Sequence, residues 1–96
     1  MNKERGKYLY EFVGIIKDIQ SKKIKHRAGL NLKVELTNYP EISIIQAWKD
    51  LLANEQIWVD LENSKFLDKK YLFSCQNWMG QYRLIDWQEL TNHGSN

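Results

Sequence analysis

The alternation of Leu30, Leu32, Val34 and Leu36 with Asn31, Lys33, Glu35 and Thr37 constrains this chain more than any other feature. Strand side chains point to opposite faces with period two, so this run is a strand with one dry face and one wet face. Residues 8–19 precede it. There Tyr8, Tyr10 and Phe12 share one side and Leu9, Val13 and Ile15 the other, with Gly14 interrupting. Apolar side chains on both faces suit a strand that is central in a sheet or bends around a barrel, and a residue without a side chain permits the bend or a bulge. A polar, basic connection over 20–29 joins the two strands. The turn Asn38-Tyr39-Pro40 follows, because Pro40 restricts Tyr39 and cannot donate to a ladder.

Residues 42–48 form a third strand rich in β-branched side chains. Trp48, Leu51 and Leu52 then have helical spacing, so a short helical turn is expected near 49–54. The alternation in Ile57-Trp58-Val59-Asp60-Leu61 predicts a further strand over 56–61. Residues 63–70 form a polar connection that holds Phe66. The final pair of strands, 71–78 and 81–90, flanks Met79-Gly80, where glycine supplies the positive φ of a two-residue hairpin turn. Short strands, turn signals and little helix predict an all-β fold, a small barrel or sandwich. Ninety-six residues allow one domain, placed at 8–90, with flexible ends at 1–7 and 91–96.

Several chemistries have no material to work with. The single cysteine, Cys75, lies in an apolar run and forms no disulfide within the chain; its ordinary role is a small buried hydrophobe. His26 and His93 are far apart, so no zinc set is formed. The five glycines are scattered and make no phosphate loop, and no serine sits in an elbow motif. The carboxylate pairs Asp60 with Glu62 and Asp86 with Glu89 read as exposed strand faces or ends. No catalytic residue, metal or cofactor is therefore expected. No apolar run is long enough to span a bilayer, and the charged start Met1 to Arg5 leads into no secretion signal.

Two features remain. The net charge is only +2, but Lys22, Lys23, Lys25 and Arg27 crowd together around His26, and a concentrated patch attracts a polyanion more than a sum does. The chain also holds four tryptophans, more than a core this small buries easily. Trp48 closes a strand and Trp78 flanks a hairpin turn, positions where a ring is accessible. Trp87 reads as core or subunit interface. Aromatics beside a basic strand-joining loop suit stacked bases and a neutralised backbone.

In order along the chain, these motifs resemble the bacterial and organellar single-stranded-DNA-binding protein family, and the similar primosomal replication protein PriB. Tyr10-Glu11-Phe12-Val13-Gly14-Ile15-Ile16 resembles the family's opening strand. Residues 28–36 resemble its second strand after a small-residue turn, and residues 44–51 the third. Gln76-Asn77-Trp78 followed by Gly80-Gln81-Tyr82-Arg83 resembles the long hairpin that leads into the last strand. The resemblance implies a small OB-fold Greek-key barrel with at most one short helix. It implies base stacking on Trp48 and Trp78, with Tyr39 and Trp58 as lesser candidates, and backbone contacts from Lys22, Lys23, Lys25 and Arg27. It further implies sequence-tolerant binding of single-stranded DNA, or RNA, in replication, recombination or repair; a homo-oligomer, dimer or tetramer; and a place in a bacterial cytoplasm or an organelle's stroma or matrix. The segment between Trp48 and Trp78 departs from the family pattern, and the acidic tail that recruits replication partners has no counterpart in 91–96. The rival expectation is a protein-interaction module of the same fold, its aromatics at an interface and its basic loop merely solvated.

Overall fold

The computed structural model describes residues 9–90. The ends expected to be flexible, 1–7 and 91–96, and Tyr8 lie outside the described residues. Among the described residues there are five strands and one short helix: β1 (Leu9–Ile24), β2 (Arg27–Leu36), β3 (Ile44–Trp48), a 3-10 turn (Lys49–Leu51), α1 (Glu55–Glu62), β4 (Lys70–Trp78) and β5 (Gln81–Leu90). The strands form a mixed sheet that closes in the order β1-β2-β3-β5-β4.

Closure depends on β1, which has two neighbours along its length. Its first half pairs with β4, from Leu9 opposite Gln76 to Ile15 opposite Lys70. Its second half pairs with β2, from Gly14 opposite Leu36 to Ile24 opposite Arg27. The handover falls at Gly14, where a Cβ would stand 2.1 Å from the Glu35 carbonyl oxygen. No other residue fits so close to a neighbouring backbone. Just beyond, Lys17 is an extra residue between the pairs Ile16–Val34 and Asp18–Lys33. Such a bulge adds twist and exchanges the inward parity. Phe12 and Ile16 face the core before it, and Ile19 packs against the core after it.

The Leu30–Leu36 alternation is observed as expected, with all four apolar side chains in the core. The terminal hairpin is also as expected: Met79 and Gly80 have φ of 52° and 86°, the pair of positive values of a type I′ turn. β5 closes the sheet through a parallel pairing of Gln46 with Arg83. A second bulge, at Ile85, interrupts its pairing with β4. The Ile85 carbonyl accepts a 2.7 Å hydrogen bond from Ala53 N–H, which ties the β3–α1 connection to β5.

Two expectations need correction. The connection over 20–29 is not a loop: β1 and β2 stay paired to Ile24–Arg27, and only Lys25-His26 turns. Main-chain pairing needs no apolar side chains, and this end of the hairpin projects into solvent, so the ladder continues where the alternation stops. The strand expected over 56–61 is the helix α1. Asn54 caps it, its side-chain oxygen accepting from Ile57 N–H at 3.2 Å. Ile57, Trp58 and Leu61 then share one buried face, while Val59, apolar in the alternating pattern, is left exposed. Phe66, after the helix, joins the same core. Among the described residues no helix is long and apolar enough to cross a membrane.

Candidate functional site

Three pieces meet on the outside of the sheet. At one end is the tip of the β1–β2 hairpin. At the other is the tip of the β4–β5 hairpin. Between them lies the outward face of β2 and β3. Ile45 and Ala47 point into the core, so Gln46 and Trp48 point outward by alternation.

Trp48 is outward yet only 3% exposed. Its ring lies flat on Gly29, where a Cβ would stand 2.6 Å from Trp48 Cε3. The Arg27 guanidinium covers the ring at 4.5 Å from the centroid, and Lys22 Nζ stands 5.9 Å away. Arg27 is held in turn by Asp50: its Nε donates to Oδ2 at 3.2 Å and its NH2 group to Oδ1 at 3.0 Å. These hydrogen bonds lower the Asp50 carboxyl from its ordinary value against a partial desolvation penalty, and the charges of Arg27 and Arg83 act in the same direction. The indole Nε1 donates to Gln46 Oε1 at 3.1 Å.

The second hairpin is more open. Trp78 is 51% exposed and Met79 is 85% exposed. The Arg83 guanidinium lies 4.7 Å from the Trp78 centroid. Among the described residues Arg83 has no carboxylate ion-pair partner, and its Nε is buried without a hydrogen bond. Asn31, Gln46 and Arg83 sit side by side across β2, β3 and β5. The Asn31 Oδ1 is likewise buried and unpartnered. Gln46 Nε2 donates to Gln81 Oε1 at 3.0 Å, joining the β3 face to the second hairpin.

The residues named from sequence therefore divide. Lys22, Arg27 and Trp48 come together at the first hairpin, but Trp48 is covered and Arg27 is paired. Lys23 and Lys25 are exposed on the same hairpin, and Lys23 also lines a cleft with Trp58 and Glu62. Trp58 is packed in the core by α1 and only its edge, 6% exposed, reaches that cleft. Tyr39 is exposed, its ring edge-on to Phe12 at 5.1 Å between centroids, apart from the lysine cluster. Trp78 presents an exposed ring. Trp87 stacks on Tyr71 at 4.1 Å and packs against the core. Sequence reading missed Asn31, Gln46, Gln81 and Arg83 as a group. One signal pointed to them: an uncharged polar residue, Gln46, stands in the middle of the apolar run Ile44-Ile45-Gln46-Ala47-Trp48.

No family model, curated protein sequence or solved structure matches the chain.

Proposed function

We propose that the chain is an OB-fold protein that binds single-stranded nucleic acid, DNA in the first instance, by stacking and backbone contacts that tolerate many sequences. The closed strand order β1-β2-β3-β5-β4, with the helix between β3 and β4, supports the OB-fold reading. Barrels of that kind hold oligonucleotides on the face of their second and third strands, between the β1–β2 and β4–β5 loops. The observation that carries the proposal is that both of the hairpins ending in those loops are equipped for the task. The first carries Lys22, Lys23, Lys25 and Arg27. The second carries a half-exposed Trp78 with an arginine against its ring that, among the described residues, is in no ion pair with a carboxylate. The resemblance to single-stranded-DNA-binding proteins and to PriB points the same way.

Titrating oligo-dT into the protein tests this. Tryptophan fluorescence is expected to fall on binding, and the affinity is expected to fall steeply with salt as counterions are released. No quenching at low salt with micromolar protein overturns the proposal. Oligo-U in the same titration compares RNA with DNA, and sedimentation beside it reads the proposed homo-oligomer. The rival reading is an assembly module, favoured by the apolar tip of Trp78 and Met79. On that reading Trp78→Ala changes sedimentation and leaves oligonucleotide retention as it was.

A further inference from the structure

The hydrogen-bond chain from Trp48 to Gln81 has a single possible polarity. An indole N–H donates and cannot accept. Trp48 Nε1 donates to Gln46 Oε1, which turns the Gln46 amide nitrogen toward Gln81. Gln81 must then meet it with its oxygen, and does so at 3.0 Å. The free end of Gln81 is therefore an NH2 group, a donor and not an acceptor. Gln46 is only 7% exposed, so the arrangement cannot reverse without leaving a buried indole N–H facing another donor.

Gln81 lines a cleft of about 320 Å³ between the start of β3 and the second hairpin. That volume lies at the small end of the roughly 300–1,000 Å³ of ligand sites. Its walls include Ile42, Ile44 and Tyr82, apolar surfaces against which a flat ring can lie, and its polar lining includes Glu41 and Ser43. Trp78 stands in the same hairpin.

We propose that this cleft is a base-edge subsite that selects keto bases over amino bases. The proposal rests on the single-strand reading above. Thymine and uracil present a carbonyl oxygen at the position where cytosine presents an amine. The Gln81 NH2 group donates to the first and opposes the second. Glu41 and Gln81 are both exposed, but among the described residues no hydrogen bond or ion pair holds the Glu41 carboxylate, whereas the polarity of the Gln81 amide is set by the relay behind it.

Oligo-dU and oligo-dC make the test, since the two bases are nearly the same shape. The wild-type protein is expected to bind oligo-dU about 2- to 10-fold more tightly, the span of one net hydrogen bond. Gln81→Glu keeps an oxygen for Gln46 and turns a second oxygen outward, so the ratio is expected to invert. Gln81→Met removes the donor, and the ratio is expected to move to about one. Ratios are compared because the added charge of glutamate weakens both oligonucleotides together. If neither oligonucleotide binds the wild type, the single-strand reading fails. If both bind and the wild-type ratio is near one, or favours dC, the subsite proposal fails while that reading stands. A wild-type preference for dU that survives both substitutions also overturns the subsite, and places the selection elsewhere.

Discussion

Trp48 and Trp78 both point away from the core, and their surroundings give them different roles. Trp78 has one cation against it and half its surface in solvent. Trp78→Ala is expected to cost about 1–3 kcal/mol of binding, the worth of one stacked base, with little change in denaturation midpoint. Trp48 supports Arg27, fills the space over Gly29 and supplies the donor that orients Gln46. Trp48→Ala is therefore expected to cost about 3–5 kcal/mol of stability, as buried aromatic truncations do, and a urea titration measures it. Asp50 competes with any phosphate for Arg27. Asp50→Asn is expected to tighten oligonucleotide binding and to steepen the plot of log K against log salt by about one, as one more phosphate contact would. An unchanged slope would mean that Arg27 takes no part. The identities of these residues were legible in the chain. Their availability was not, because exposure depends on which side chains arrive from other strands.

At the scale of elements, α1 and the β1–β2 hairpin mark where local pattern runs out. Residues 57–61 satisfy two periods at once. Ile57, Val59 and Leu61 alternate, while Ile57, Trp58 and Leu61 share a helical face. The choice rests on the cap and on the core. Asn54 accepts from Ile57 N–H, and Trp58 and Leu61 are buried together in the core of the sheet. Asn54→Ala is expected to destabilise the protein by about 1 kcal/mol, readable as a shift in urea midpoint with unchanged slope. The hairpin is the opposite case. Its outer half has no apolar alternation to read, yet the ladder runs to Ile24 and Arg27. As a result Lys22 and Lys23 lie on a paired strand: both line the cleft beside α1, and Lys22 also stands over the Trp48 ring.

The whole molecule carries its stability in a closed sheet around one core, and two titratable groups of that sheet set an alkaline limit. Burial pushes the Cys75 thiol from 9.0 up to about 12. Burial, with the negative charges of Glu89 and Asp60, pushes Tyr71 from 10.0 up to about 12. Both groups are raised by folding, so their contribution is complete below pH 9. It is lost as pH rises toward 12, because the unfolded chain ionises first. The urea midpoint is expected to hold steady to pH 9 and then fall, and Cys75 is expected to react with thiol reagents only on unfolding. A midpoint that stays flat to pH 11 would contradict this account. Turn chemistry and period-two alternation are local, so β2, the terminal hairpin and the mainly β character follow from residues a few positions apart. Burial of Trp48 and Trp58, the handover at Gly14 and the Gln46–Gln81 hydrogen bond join residues far apart in the chain. Nothing nearby in sequence encodes those contacts, and they exist only once the sheet has closed.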